Sequence, residues 1–183
     1  MTVNTSLLKE SFREEGWEQS NARETIAISF LSLMGVRAEA RGHGTLNPNL
    51  VQGFHISAHD KFDLYAPDLD LYFEVTGTAW TREKSAQRCR IPMLPILKAK
   101  VDSAIGYDLD NKLYFISVND IEGEVRFMPC QNVLNYPRGY FEHNGGDYYM
   151  IPWHDWLRPC MVHERFCRAL LKKGSRKTEG TNQ

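Results

Sequence analysis

Asp63 and Glu74 are the two residues of this 183-residue chain whose type and spacing best support chemistry. They lie in the stretch Lys61–Thr78, KFDLYAPDLDLYFEVTGT. Leu71, Phe73 and Val75 alternate with Asp70, Tyr72, Glu74, Thr76 and Thr78, and period-two alternation predicts a half-buried strand over 70–78. Pro67-Asp68 is turn chemistry, because proline presets its φ and aspartate tolerates turn geometry. Phe62 and Leu64 are expected on one face of the preceding strand and Asp63 on the other. Asp63 and Glu74 can then share the non-core face of one antiparallel hairpin. Neighbouring carboxylates repel unless a proton or hard cation sits between them. Mg²⁺ is commonly held by one or two carboxylates with water and phosphate oxygens. Such a site can generate hydroxide and stabilise the charge that develops in phosphodiester cleavage. The alternative is a solvated strand face whose carboxylates never meet.

The elements around that hairpin decide what else could reach it. Asn21 is expected to open a helix, with Asn21 and Glu24 spaced as a capping box. Ala27, Phe30, Leu31 and Met34 give its apolar stripe, and Gly35 its stop. Val36 to Arg41 reads as a first strand. The segment GHGTLNPNLVQGFHISAHD follows, read as a loop with Arg37 and Arg41 flanking its start. It carries His43, His55 and His59, and His59 could reach the site. After Thr78 comes AWTREKSAQRCRIP, read as a basic connection with Arg82, Lys84, Gln87, Arg88 and Arg90 as candidate DNA contacts. Pro92 and Pro95 delay the next helix, which is expected over Leu94–Ile105. Lys112–Val118 and Glu124–Met128 read as strands, the first apolar enough to be covered on both faces. Asn144-Gly145-Gly146 signals a hairpin pairing GYFEH with DYYMI. Its aromatics, beside Arg138, could stack on unpaired bases or extend a small core. A last helix is expected from Trp156 or Pro159 to Lys173.

The order helix, strand with Asp, strand with E-x-K, helix resembles the core of the PD-(D/E)XK nuclease superfamily, which includes restriction endonucleases and archaeal Holliday-junction resolvases. FDLYA resembles the strand that delivers the aspartate, and YFEVT the strand that delivers (D/E)-x-K. NARETIAISFLSLMG is similar to the opening helix of the resolvases. The resemblance covers roughly residues 20–130. It implies an α/β, restriction-endonuclease-like core, a mixed, mainly antiparallel sheet of four or five strands flanked by helices. It implies a metal-dependent DNA endonuclease with Asp63 and Glu74 on Mg²⁺ or Mn²⁺, and Glu24 completing the carboxylate shell or orienting water. Thr76 stands where the motif has lysine. Superfamily members replace that lysine or move it in sequence, and Lys84 is the candidate substitute. Gln87 could orient water or phosphate. The alternative is a catalytically weakened module of the same fold that binds nucleic acid or protein partners. A third reading is a small structural protein with exposed strand carboxylates.

Composition bounds these readings. With 42% hydrophobic and 25% charged residues the chain is ordinary for a soluble globular protein. A net charge of −1 provides no global positive field, so DNA, duplex or branched, would need local basic patches. No apolar run approaches the roughly 20 residues that span a bilayer, and MTVNTSLLKESFREEG lacks a secretory core. A cytoplasmic protein with reduced thiols is expected. Cys160, His163 and Cys167 fall near one helical face, and Cys130 could join them on a structural metal; buried thiols are the other reading. Residues 1–19 read as an extension with a short amphipathic helix that could pack on the core or serve a homodimer contact. Residues 20–173 read as one domain, and 174–183 as a disordered tail.

Overall fold

The computed structural model describes residues 14–41, 62–78, 81–141 and 146–179. Helix α1 (Glu14–Leu33) leads into β1 (Glu39–Ala40), β2 (Leu64–Ala66) and β3 (Leu71–Thr78). Helix α2 (Arg82–Cys89), β4 (Met93–Leu97) and α3 (Lys98–Gly106) follow, then β5 (Leu113–Asn119), β6 (Glu124–Pro129) and the short α4 (Cys130–Val133). The chain continues with β7 (Arg138–Phe141), β8 (Gly146–Pro152), a 3₁₀ turn over Trp153–Asp155, and α5 (Pro159–Glu179). Five strands form one sheet in the order β1-β2-β3-β5-β6, in which only β3 and β5 run parallel. β4, β8 and β7 form a second, antiparallel sheet. The architecture is the mixed, mostly antiparallel α/β arrangement expected.

Both faces of the five-stranded sheet are covered, which puts β5 in the interior as its apolar run requires. On one face Ala27 and Leu31 of α1, with Met34 just after it, meet Leu64, Phe73 and Ile116, with Val162 and Phe166 of α5. The Phe166 ring stands edge-on to Phe73 at 6.0 Å. On the other face Leu113, Phe115 and Met128 meet α3, α4, the second sheet, Trp153 and Trp156. This second layer corrects the expectation of a non-core face on β3: Glu74, expected on that face, is buried.

Other expectations also change. The helix expected over Leu94–Ile105 is split: Met93–Leu97 is a strand and the helix starts at Lys98. Leu94 and Ile96 alternate inward at period two, and β4 is an edge strand, where Pro95 without an N–H is tolerated. The basic connection holds a helix, α2, capped by the Thr81 hydroxyl, which accepts the Lys84 N–H at 3.1 Å. Ser85 locks α2 onto β4, because its hydroxyl donates to the Met93 carbonyl and accepts the Met93 N–H. Helix α1 begins at Glu14, so Asn21 and Glu24 lie inside it and form no capping box. Gly35, at φ +74°, ends it as read. Helix α5 runs to Glu179, into the stretch read as a tail. Phe62 and Leu64 join opposite core clusters, because 62–63 form a bend and regular alternation starts only at Leu64. The histidine loop, residues 1–13 and the turn residues Asn144 and Gly145 lie outside the described residues.

Candidate active site

The hairpin register pairs Leu64 with Phe73, so one step further places Asp63 opposite Glu74. β2 begins only at Leu64, and the next β3 amide beyond that pair is met by a side chain: Val75 N–H donates to Asp63 Oδ2 at 2.8 Å. On the other side the Asp63 carbonyl accepts the Arg41 N–H at 2.7 Å. The aspartate is thus fixed by the backbones of both neighbouring strands. Asp63 is 8% exposed, Glu74 4% and Glu24 2%.

Lys100, in the first turn of α3, is the cation that reaches this group. Its ammonium forms a hydrogen-bonded ion pair with Glu74 Oε1. Helix α3 follows β4 without a gap and is anchored by Val101 and Ala104, both fully buried, so Lys100 is delivered from a fixed element. Burial pushes the Asp63 carboxyl well above its usual range, and Glu74 and then Glu24 add to the shift; Lys100 and the Val75 N–H oppose it. For Lys100, burial works to lower the ammonium, but Glu74 and then Asp63 outweigh it and hold the lysine protonated above its usual range. Three buried carboxylates therefore lie within electrostatic reach of one ammonium.

Arg23 reaches across β3 to Asp120, its Nε donating to Oδ2 at 2.8 Å. It passes so close over Gly77 that a Cβ there would lie 2.1 Å from Nε. This contact ties α1 to the far ends of β3 and β5.

The structure thus brings Asp63, Glu74 and Glu24 together, with Thr76 half-buried two residues beyond Glu74 on β3. Lys84 is exposed on α2, and it is Lys100, not Lys84, that contacts Glu74. Gln87, Arg88 and Arg90 are also exposed, Gln87 donating to Glu83 at 3.4 Å. Arg82 is engaged by carboxylates: it pairs with Glu122 at 3.0 Å and with Glu124, and lies over the Trp153 ring at 5.4 Å. Sequence reading missed Lys100 because it placed the helix start too early. One signal was available. A lysine in a first helical turn stands at the positive end of the dipole, and α3 has no acidic residue there, so Lys100 needs an acid from elsewhere.

Among the described residues no three His, Cys, Asp or Glu side chains are placed to hold a metal together. Cys167 Sγ lies 3.2 Å from His163 Nε2 on α5, Cys160 is exposed, and Cys130 is buried in the other core cluster, where burial pushes its thiol up to about 12. A hard divalent cation needs only one or two carboxylates beside water and phosphate. Asp63 and Glu74 are two such carboxylates, and Glu74 already carries the Lys100 ammonium.

Residues 33–161 match the viral/archaeal nuclease family, and the chain belongs to that family. It is similar to an uncharacterised protein, D-244, of Sulfolobus spindle-shape virus 1. The two are 27% identical over 129 residues, 63% of this chain and 53% of the relative. The chain thus spans about half the length of the curated relative it matches. Its fold is similar to that of D212, a nuclease from a fusselovirus, with a TM-score of 0.51 and 22% identity, covering 81% of this chain and 86% of that one. No helix among the described residues is long and apolar enough to cross a membrane.

Proposed function

We propose that this chain is a metal-dependent DNA endonuclease built on the PD-(D/E)XK plan, with its lysine supplied by α3. The observation that carries the reading is Lys100 against Glu74 beside the buried Asp63. Asp63 and Glu74 would hold Mg²⁺ or Mn²⁺, which would supply an acidified water and positive charge at the attacked phosphate. Lys100 keeps a proton at the Glu74 end and can donate to a phosphate oxygen. Glu24 accepts from, and so orients, a water beside Asp63. Thr76 offers only a hydroxyl. Lys84, Gln87, Arg88 and Arg90, exposed on α2 and its exit, would follow the DNA backbone, while Arg82 holds α2 against the β5–β6 turn.

The test is a cleavage assay on linear, nicked and branched DNA with Mg²⁺ and with Mn²⁺. The parent should cut, and Asp63→Asn and Glu74→Gln should lose cleavage while remaining folded. Variants that cut at the parental rate would remove the two carboxylates from the reaction. A parent that binds DNA but cuts none of the substrates would leave a binding module on a nuclease scaffold.

A further inference from the structure

The carboxylate row continues one strand beyond Asp63. β1 pairs with β2 through Glu39–Tyr65 and Ala40–Leu64, and the Arg41 N–H to Asp63 carbonyl bond extends the ladder by one residue. Arg41, Asp63 and Glu74 therefore stand side by side on consecutive strands, about 4.8 Å apart per strand. The row below is Glu39, Tyr65 and Tyr72. Residues two apart on a strand share a face, and one contact shows it directly: the Arg41 guanidinium lies over the Tyr65 ring, 4.9 Å from its centroid. Tyr65 is itself held. Its ring packs on Tyr72 at 4.8 Å, and its hydroxyl donates to Asp70 at 3.0 Å, where Lys112 also pairs at 2.6 Å. Arg41 is exposed at the end of this braced platform, with Glu39 3.7 Å from its guanidinium.

A guanidinium stacked on an aromatic ring points its N–H edges outward in its own plane, and the fork fits a phosphate with two parallel bonds. It is also pre-organised, so little side-chain freedom is lost on binding. The neighbouring carboxylates repel a polyanion, and a cation one strand away is where a substrate phosphate can be held against that repulsion. We infer that Arg41, seated on Tyr65, is a positioning residue that grips the phosphate next to the one presented to Asp63 and Glu74. This rests on the nuclease reading for the identity of the substrate.

The experiment measures binding of a fluorescent duplex and a single-stranded oligonucleotide by the full chain in Ca²⁺, across a salt series, and steady-state cleavage in Mg²⁺. Arg41→Ala should weaken binding roughly tenfold, the scale of one charge-assisted hydrogen bond. It should reduce the salt slope by about one unit, and raise KM more than it lowers kcat. Arg41→Lys should restore the slope but not the affinity, because lysine keeps the charge and loses the fork. Tyr65→Leu should resemble Arg41→Lys. Thermal melting of each variant separates loss of grip from loss of fold. Unchanged slope and KM in a folded Arg41→Ala, or a parent that binds neither DNA, overturns the inference. Failure of the nuclease reading looks different: the slope still changes with Arg41 while no substrate is cut.

Discussion

Replacing Lys100 by alanine separates the two candidate lysines. In the parent the Glu74 side chain is 5% exposed and that of Lys100 39%. Removing one partner of a fully buried pair costs about 3–5 kcal/mol, whereas exposed pairs contribute about 0–1 kcal/mol. With one partner more than a third exposed, solvent screens much of the attraction, and a loss of about 1–2 kcal/mol is expected. For a chain of this length each kcal/mol moves Tm by about 2–4 °C, so Lys100→Ala should melt roughly 2–8 °C lower in chelator. The rate should change far more. Loss of one donor aimed at developing charge costs about 10²–10³ in kcat. Metal affinity should hold or rise, because the site becomes more negative by one charge. Single-turnover cleavage with saturating Mn²⁺, beside melting curves with and without metal, reads all three quantities. Lys84→Ala should cleave as the parent does. Thr76→Lys added to Lys100→Ala should recover part of the rate, since residue 76 lies on the Glu74 face of β3. Parental cleavage by Lys100→Ala, or the rate loss appearing in Lys84→Ala instead, refutes the assignment.

The raised Asp63 carboxyl gives a pH test. The folded protein keeps that proton above the unfolded value near 3.9, so stability falls as pH rises from there through the folded value. Asp63→Asn, which cannot ionise, should be more stable than the parent at neutral pH in chelator, the gain vanishing below about pH 3.9; an unchanged pH–stability curve would count against a strained aspartate. Metal should do the reverse: at a hundredfold excess over Kd, Mg²⁺ or Mn²⁺ should stabilise the parent by about 2.7 kcal/mol, or roughly 5–11 °C, and leave Asp63→Asn nearly unmoved. Gly77→Ala must displace Arg23 from Asp120, at a cost of about 1 kcal/mol. The double variant with Arg23→Ala should lose no more than either single, measured by denaturant melts.

The hairpin was legible because its signals are local. Alternation over 71–78, a Pro-Asp turn and Asp63 one residue before the register together define it, and the structure pairs Leu64 with Phe73 accordingly. β5 was legible for the same reason, since its apolar run has no use except between two layers. What stayed hidden depends on contacts distant in sequence. Glu24 looked like a cap because Asn21 fits one, and only the earlier helix start at Glu14 shows otherwise. MLPIL is ambiguous between strand and helix over so few residues; its partner β8 settles it. With β4 misread as the first turn of the helix, Lys100 fell in its middle and could not be seen as a lysine standing where a helix prefers acid. Arg82 read as a DNA contact because Glu122, Glu124 and Trp153 approach it only in the fold.

At the site these levels disagree, and the disagreement has a direction. Three carboxylates are buried around one ammonium, and the fold enforces the arrangement: Val75 and Arg41 fix Asp63 by backbone bonds, and the β4–α3 junction delivers Lys100. Core packing alone would favour apolar residues at these positions. A buried excess of negative charge is destabilising unless a proton or cation relieves it. In the absence of metal, burial and the Glu74 carboxylate favour a proton on Asp63. A divalent cation would displace that proton, so the stability recovered on metal binding and the stability lost as pH rises share one origin. That shared origin ties the pH curve of the chelated protein to its metal response, and makes Asp63→Asn the variant in which both should disappear together.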